Sequence, residues 1–237
     1  GRPDKAEALL RWTHPERGPI PPEVFIPVAE ELGLIDTIGS WVFQHAAATA
    51  RRWQQSLPPE LRETHPIQIT INTSPRQFAK GTSLEVLLER LEALELPGSC
   101  IAIEITESLL LDEQPAVTAQ LARLRAAGIQ LSIDDFGTGY SAMAYLTRMD
   151  IDTLKIDRSF IRNLTTHPGD LAITEAIIVM AHKLGLNVVG EGIETEAQRE
   201  RLAAAGCNYG QGFLFSRPIP EHEFFEFLAG QNPQPSP

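Results

Sequence analysis

The sequence is poor in cysteine and contains no long apolar run. Its 237 residues include only two cysteines, Cys100 and Cys207, and both lie in an apolar context. This usage favours reduced thiols in a cytosolic protein over a disulfide-stapled secreted fold. No stretch of about 18 uninterrupted apolar residues occurs, which excludes a transmembrane helix. We therefore expect a cytoplasmic domain that makes no membrane contact of its own.

Basic residues are also in deficit, since 20 Lys and Arg face 31 Asp and Glu, for a formal net charge of −11. A protein that binds a nucleic-acid polymer needs an excess of Lys and Arg on its binding surface, so this net negative charge argues against such a partner. An acidic protein can still bind phosphate where metal ions supply positive charge. The six histidines are dispersed without metal-ligand spacing, which argues against a histidine-based metal site.

The second half of the chain repeats one pattern, an amphipathic helix, a glycine and a short apolar strand that ends in polar residues. This alternation predicts βαβ units and a parallel sheet. The predicted strands are residues 6–12, 67–72, 101–105, 129–134, 153–157, 188–191 and 210–215. The predicted helices are residues 22–33, 36–57, 84–94, 116–127, 171–184, 195–205 and 221–228.

Seven strands are one fewer than a closed (β/α)8 barrel requires. Either the first strand lies before Gly1, or the sheet is open, and we favour a TIM-like (β/α)8 barrel whose first strand is missing from this chain. We expect residues 1–229 to form one α/β domain. Residues 230–237 are rich in Pro and Gln and are predicted to be a disordered tail.

Polar residues recur at the carboxyl ends of the predicted strands, where parallel α/β folds carry their active sites. They are Asn72, Glu104, Glu107, Asp134, Asp135, Lys155, Asp157, Glu191, Glu194 and Gln211, and Glu7 lies near the start of the first predicted strand. If the five acids Glu7, Glu104, Asp134, Asp135 and Glu191 converge, they cannot all stay ionised without counter-charge. Two divalent ions and Lys155 would supply it. Oxygen-only ligands indicate Mg²⁺ or Mn²⁺.

The adjacent acids Asp134 and Asp135 would point to opposite faces of a regular strand. Both can enter one site only where the strand ends and the chain bends, and Gly137 and Gly139 allow such a bend. One of the two carboxylates could then bridge two metal ions. The letters Asp135-Phe136-Gly137 also occur in protein kinases, but no glycine-rich loop followed by a strand lysine precedes them.

Taken together, these motifs resemble the EAL domains, bacterial phosphodiesterases of cyclic di-GMP. The resemblance covers roughly residues 6 to 228 and opens with Glu7-Ala8-Leu9-Leu10-Arg11-Trp12. The other matching segments are residues 25–27, 71–74, 104–107, 134–141, 155–157, 191–194 and 211–213. Each segment alone is a weak signal, whereas their number and order are specific.

The resemblance implies a role for each of these site residues. Glu7, Asn72, Glu104 and Asp134 are similar to the ligands of one metal ion, and Asp134, Asp135 and Glu191 to those of a second. Lys155 resembles the lysine that holds the attacking water, and Glu191 also resembles a general base. Arg11 is similar to a substrate-phosphate contact, and Glu194 and Gln211 to supports on the substrate side. Glu107 resembles the anchor of the loop 136–141, which couples dimerisation to metal binding.

The implied reaction is metal-dependent hydrolysis of cyclic di-GMP to linear 5′-pGpG by in-line attack of a metal-bound water. The resemblance also implies a homodimer, fused to or regulated by an upstream sensory or GGDEF domain. One alternative is a receptor that binds cyclic di-GMP without cutting it, although the ligand set here is complete. A second is a barrel lyase or aldolase with Lys155 as a Schiff base, which acidic neighbours disfavour because they keep the lysine protonated.

Overall fold

A computed structural model describes residues 5–57, 67–80, 82–111, 114–137, 146–147 and 149–228. Its centre is a parallel sheet of seven strands in the order β1-β4-β5-β6-β7-β8-β9. The strands are β1 (Lys5–Ala8), β4 (Gln68–Asn72), β5 (Ile101–Thr106), β6 (Gln130–Phe136), β7 (Thr153–Ile156), β8 (Asn187–Gly190) and β9 (Tyr209–Gly210). No eighth strand joins this sheet within the described part of the chain. The predicted parallel α/β fold of TIM-like type, with seven strands, is confirmed.

Helices cover the sheet and alternate with its strands. They are α1 (Pro22–Glu31), α2 (Ile35–Ser56), α3 (Pro75–Lys80), α4 (Thr82–Ala93), α5 (Glu107–Leu110), α6 (Pro115–Ala126), α7 (Arg158–Arg162), α8 (Pro168–Lys183), α9 (Glu196–Ala204) and α10 (Glu221–Leu228). In α2 the residues Phe43, Ala47 and Ala50 are fully buried, because their spacing puts them on one face of the helix. Among the described residues, no helix combines the length and apolar character that crossing a membrane requires.

Two strands were predicted too long. Residues 6–12 do not form one strand, because β1 ends at Ala8 and Trp12 begins a hairpin of β2 (Trp12–His14) and β3 (Gly18–Ile20). The expected strand 210–215 stops at Gly210, after which the chain turns at Gly212. The short helices α3, α5 and α7 were not predicted, since four to six residues are too few for a helical period to emerge.

The sheet curls so that its two edge strands approach each other. The Gln211 side chain, directly after β9, donates a hydrogen bond to Glu7 in β1 at 2.5 Å. Lys5 Nζ in β1 lies 4.6 Å from the centre of the Tyr209 ring in β9. Because β1 and β9 are the first and last strands of the order, these contacts give the sheet a barrel-like shape. The predicted tail 230–237 lies outside the described residues.

Candidate metal and phosphate site

A cavity of about 1130 Å³ opens along the inner face of the curled sheet. The charged and amide side chains at the carboxyl ends of six different strands line it, namely Glu7, Glu104, Asp134, Lys155, Glu191 and Gln211. Parallel strands present these ends at the same edge of the sheet, so residues far apart in sequence meet. The convergence expected from the sequence is therefore present in the fold.

Lys155 is the centre of this cluster. Its side chain is only 3% exposed, and Nζ lies 2.6 Å from both Glu104 Oε1 and Glu191 Oε1. Asp134 Oδ1 follows at 3.3 Å and Glu7 Oε2 at 3.7 Å. Burial by itself would lower the pKa of the ammonium, but the four surrounding carboxylates outweigh it and the pKa is raised. Lys155 is held as an ammonium, which disfavours the Schiff-base alternative.

The carboxylates around Lys155 carry more negative charge than one ammonium can balance. The Glu104 side chain is 3% exposed, and burial raises its pKa well above the usual range, more than Lys155 lowers it. Burial likewise raises the pKa of Glu191 to about 7 against the opposing effect of Lys155. Both raised pKa values mean that further positive charge beside Glu104 and Glu191 would stabilise their ionised carboxylates.

Two observations show that a divalent cation fits these residues. Glu104 Oε2 is buried and has no hydrogen-bond partner among the described residues, and the buried Asp134 Oδ1 has the Lys155 ammonium at 3.3 Å but accepts no well-aligned hydrogen bond there. Ligand oxygens of Asp134, Asp135 and Glu191 all lie within 4.8 Å of one another. Hard cations such as Mg²⁺ and Mn²⁺ take carboxylate oxygens as ligands. The protein therefore has a carboxylate cluster suited to divalent metal.

The paired acids enter one site because the chain bends at Asp135 itself. Asp135 has φ +53°, a left-handed conformation that is rare for residues other than glycine. The pairing of β6 with β7 shifts register between Ile133 and Phe136. From the sequence, the bend was expected at Gly137 and Gly139. Gly137 does have φ +99°, but the bend begins two residues earlier, and Gly139 lies outside the described residues.

Asp157 is a site neighbour to which sequence reasoning gave no role. It caps α7, and its Oδ1 accepts a hydrogen bond from the Ser159 backbone N–H at 3.0 Å. Hydrogen bonds from Ser159 lower the pKa of Asp157 despite burial. Burial and the charges of Asp134 and Asp157 raise the pKa of Asp135. The available signal was the Lys155-Ile156-Asp157 motif, which places Asp157 two residues after the central lysine.

Amide and hydroxyl groups orient the acids of β1 and β5. Both Glu7 oxygens accept from amides, Oε1 from Asn72 at 2.6 Å and Oε2 from Gln211 at 2.5 Å. The Thr73 hydroxyl donates to the backbone carbonyl of Glu104 at 2.6 Å, and the Thr73 N–H donates to the same oxygen at 3.1 Å. These bonds fix the strand ends from which the acidic side chains project.

Three predicted residues lie outside the group of acids that pair with Lys155. Arg11 is exposed, donates to the Leu10 carbonyl at 2.9 Å, and does not line the cavity. Glu194 is exposed on the cavity wall. Glu107 is 6% exposed and accepts from the Gly137 N–H at 3.2 Å, so it holds the start of the loop 136–141. Residues 138–141 of that loop lie outside the described residues.

Fold and site together define a parallel α/β-barrel protein with an acidic, metal-compatible centre at the carboxyl ends of its strands. Comparison with family models gives a match to the EAL domain over residues 1–218. The chain belongs to the EAL domain family.

Known relatives match nearly the whole chain. Signaling protein YkoW of Bacillus subtilis is 42% identical over 229 residues, which is 97% of this chain and 28% of YkoW. The bifunctional diguanylate cyclase/cyclic di-GMP phosphodiesterase MucR of Pseudomonas aeruginosa is 41% identical over 223 residues, 94% of this chain and 32% of MucR. The chain thus spans about a third of the length of these curated relatives.

A solved structure shares the fold. The structure of the PaMucR phosphodiesterase in complex with c-di-GMP superposes with a TM-score of 0.82 at 42% sequence identity. The match covers 92% of this chain and 86% of that one. The EAL-type barrel predicted from the motifs is therefore confirmed at the level of family and fold.

Proposed function

We propose that this domain is a hydrolase of cyclic di-GMP that cuts one phosphodiester bond and releases linear 5′-pGpG. The observation that carries the proposal is the cluster of four carboxylates around the buried ammonium of Lys155. Two comparisons support the substrate, because MucR is named a cyclic di-GMP phosphodiesterase and the PaMucR structure is a c-di-GMP complex.

The acids of the cluster would hold two divalent ions, Mg²⁺ or Mn²⁺. Glu7, Asn72, Glu104 and Asp134 would hold one ion, and Asp134, Asp135 and Glu191 the other, with Asp134 shared. Bound there, the ions would activate water and neutralise charge on the phosphoryl oxygens. The buried Glu104 Oε2, which has no hydrogen-bond partner among the described residues, supports this assignment.

Lys155 and Glu191 have complementary roles in proton handling. Lys155 stays protonated, so its Nζ can donate a hydrogen bond to the attacking water and orient it without removing a proton. Glu191 is the proposed proton acceptor for that water. Their 2.6 Å contact places donor and acceptor side by side.

Electrostatics make phosphate binding depend on metal. Without cations, the cavity presents four carboxylates and one ammonium around Lys155, which repels a dianionic dinucleotide. Two divalent ions would reverse that balance. Glu194 on the cavity wall and Arg11 beyond it remain the proposed substrate contacts. We expect cyclic di-GMP to bind far more weakly in the presence of a chelator.

The test is incubation of the protein with Mn²⁺ and cyclic di-GMP, after which the products are separated by chromatography and identified by mass spectrometry. We expect 5′-pGpG from the wild type and a rate at least 100-fold lower for Glu191→Gln. The matched control is Glu200→Gln, an exposed acid in α9, which should retain full turnover. Binding of cyclic di-GMP with no pGpG would instead establish the receptor alternative.

Two proposals concern assembly. The family resemblance predicts a homodimer, which light scattering on a size-exclusion column would measure. It also predicts regulation by a sensory or GGDEF domain, and MucR, named as both cyclase and phosphodiesterase, is a relative with that combination of activities. Both proposals concern the longer protein in which such a domain acts.

A further inference from the structure

We propose that Arg158 binds the phosphodiester of cyclic di-GMP that is not being cut. This inference rests on the proposed function and deepens it, since it assigns a contact to the second phosphate of the same substrate. A cyclic dinucleotide carries two phosphodiesters on opposite sides of one ring. The acidic cluster and its ions would hold the first, so the second must lie farther out in the cavity, where it needs a positive charge of its own.

Arg158 lies just beyond the carboxyl end of β7, next to the end of β8. The Glu191 N–H donates to the Ile156 carbonyl at 3.2 Å, which ties these two strand ends together. Asp157 accepts a hydrogen bond from the Ser159 N–H at 3.0 Å, which fixes the backbone on both sides of Arg158. Arg158 itself is exposed and lines the same cavity as Glu191. Its backbone is therefore held in place, while its side chain is accessible from the cavity.

Gly192 gives Arg158 room beside the proposed metal ligand Glu191. Gly192 has φ +68°, and a Cβ atom there would lie 2.7 Å from Arg158 Cβ and 3.5 Å from Arg158 Cα. A larger residue at this position would push Arg158 away. The first atoms of Arg158 thus pack against the residue that directly follows Glu191. Because arginine is long, a side chain that starts this close can reach a ligand whose other end is bound at the acids.

The charged end of Arg158 has no partner within the part of the chain that the structure describes. Among the described residues, four lysine and arginine side chains line the cavity. Lys155 is surrounded by carboxylates, and Lys5 and Arg217 each lie over an aromatic ring. The Arg158 guanidinium, by contrast, makes neither a hydrogen bond nor an ion pair with any described residue. Its N–H groups are therefore available to a ligand.

A guanidinium suits a phosphodiester in both shape and charge. Its planar fork donates two parallel hydrogen bonds to the two non-bridging oxygens of a phosphate. A phosphodiester carries one negative charge, which one arginine balances. The chain has a net charge of −11, so without Arg158 the second phosphate would meet a mainly acidic surface. Because Arg158 pairs with none of the described acids of the cluster, it would add affinity for the substrate without taking part in bond breaking.

The experiment compares Arg158→Gln and Arg158→Lys with the wild type on two substrates in Mn²⁺. They are cyclic di-GMP and bis(p-nitrophenyl) phosphate, which has a single phosphodiester. We expect Arg158→Gln to raise KM for cyclic di-GMP about tenfold with a much smaller change in kcat, and to leave kcat/KM for bis(p-nitrophenyl) phosphate unchanged. Arg158→Lys should recover part of the loss, because it keeps the charge but lacks the fork. Arg162→Gln, an exposed arginine of α7 that does not line the cavity, is the matched control.

Binding of cyclic di-GMP, measured by calorimetry with excess Mn²⁺ in the Glu191→Gln background, separates this inference from the proposed function. Arg158→Gln should weaken Kd about tenfold and lower the slope of log Kd against log salt concentration by about 0.7, since one phosphate contact is lost. If the wild type binds cyclic di-GMP but releases no pGpG, the hydrolase proposal fails, while a tenfold weaker Kd in Arg158→Gln still supports the phosphate contact.

Two results would overturn the inference. The first is an unchanged KM and Kd for cyclic di-GMP in Arg158→Gln. The second is an equal loss of kcat/KM for bis(p-nitrophenyl) phosphate, because Arg158 would then act on the phosphodiester that is cut.

Discussion

Gln211 and Glu7 are 204 residues apart in sequence, yet the Gln211 amide donates to Glu7 Oε2 at 2.5 Å. This hydrogen bond links the two edge strands of the sheet, because Glu7 lies in β1 and Gln211 directly follows β9. Asn72 donates to the other Glu7 oxygen at 2.6 Å. Two amides therefore set the orientation of one acid in the proposed metal site, and one of them also helps to hold the curled sheet.

Replacing Gln211 by alanine should weaken metal binding. Loss of an outer hydrogen-bond partner of a metal ligand typically lowers metal affinity by about 10–100-fold, so Gln211→Ala should need at least tenfold more Mn²⁺ for half-maximal turnover. A Mn²⁺ titration of pGpG formation measures this. Gln120→Ala on α6 is the control, because the hydrogen bond that Gln120 accepts among the described residues comes from the exposed Arg123, at 3.3 Å. An unchanged Mn²⁺ requirement would show that Asn72 alone orients Glu7.

Replacing Thr73 by valine keeps the shape of the side chain and removes its hydroxyl. The variant loses the 2.6 Å bond to the Glu104 carbonyl but keeps the backbone N–H bond to the same oxygen. We expect the free energy of unfolding to fall by about 1 kcal/mol, as measured by urea denaturation. Turnover should fall about tenfold, as expected when support for a metal ligand is lost.

Two further variants test that reading of Thr73. Thr73→Ser retains a hydroxyl and should recover most of the lost activity and stability. Thr118→Val removes an exposed hydroxyl from α6 and should change neither quantity. If Thr73→Val keeps the activity and stability of the wild type, the hydroxyl bond to the Glu104 carbonyl does not support the site.

The sequence predicts the long elements of the fold for a clear physical reason. Helix α8 carries an apolar face of several turns and ends near Gly185, so the spacing of its apolar residues and the glycine after it indicate the same helix. Strand β5 is a run of apolar residues, which predicts a buried strand. Thr195 and Gln198 have capping-box spacing, and the structure confirms both halves of that box. Strand β9 was predicted too long because the apolar residues after Gly212 belong to a turn that exposes Phe213 and Phe215.

Less of the candidate site follows from sequence alone. Parallel topology predicts that Glu7, Glu104 and Lys155 share one edge of the sheet. In a parallel sheet the carboxyl ends of all strands lie at the same edge, whatever the order of the strands. The left-handed bend at Asp135 has no such signal, because aspartate adopts this conformation only where its surroundings enforce it. The exposure of Arg11, and its position off the cavity wall, likewise depend on three-dimensional placement.

Burial of the two thiols predicts slow chemical labelling. Burial raises the pKa of both Cys100 and Cys207 from 9.0 to about 11. Only the thiolate reacts, so at pH 8 each native thiol should be about 100-fold less ionised than an exposed one. Labelling with a disulfide reagent should be slow in the native protein, faster as pH rises toward 11, and fast in urea. Complete labelling of native protein within seconds at pH 8 would contradict this.

Cys207→Ser allows each thiol to be followed separately. Cys100 is buried and accepts a hydrogen bond from Gln54 Nε2 at 3.2 Å, whereas Cys207 is half-buried. In the Cys207→Ser variant the remaining Cys100 should react only at the rate of unfolding. A native rate for Cys100 equal to that of Cys207 would mean that burial does not control access.

Removing the central cation should destabilise the metal-free protein, and more so at higher pH. Lys155→Met leaves Glu104 and Glu191 buried without their 2.6 Å partner, and breaking a buried pair in this way costs about 3–5 kcal/mol. The folded pKa values of both acids lie above their usual 4.5. The stability that Glu191 gains by holding a proton is therefore complete below pH 4.5 and is lost as pH rises through about 7. The stability that Glu104 gains is likewise lost as pH rises through its own raised pKa.

Urea denaturation in a chelator at pH 5 and pH 8 measures this dependence. The loss of unfolding free energy in Lys155→Met should be larger at pH 8, where the unfolded chain gains free energy by ionising these carboxyls, than at pH 5, where the difference between the folded and unfolded states is smaller. Lys183→Met, an exposed lysine in α8, should show little change at either pH. Because divalent ions replace the missing positive charge, excess Mn²⁺ should restore much of the stability of Lys155→Met. A loss that is equal at both pH values and insensitive to Mn²⁺ would mean that Lys155 contributes packing rather than charge.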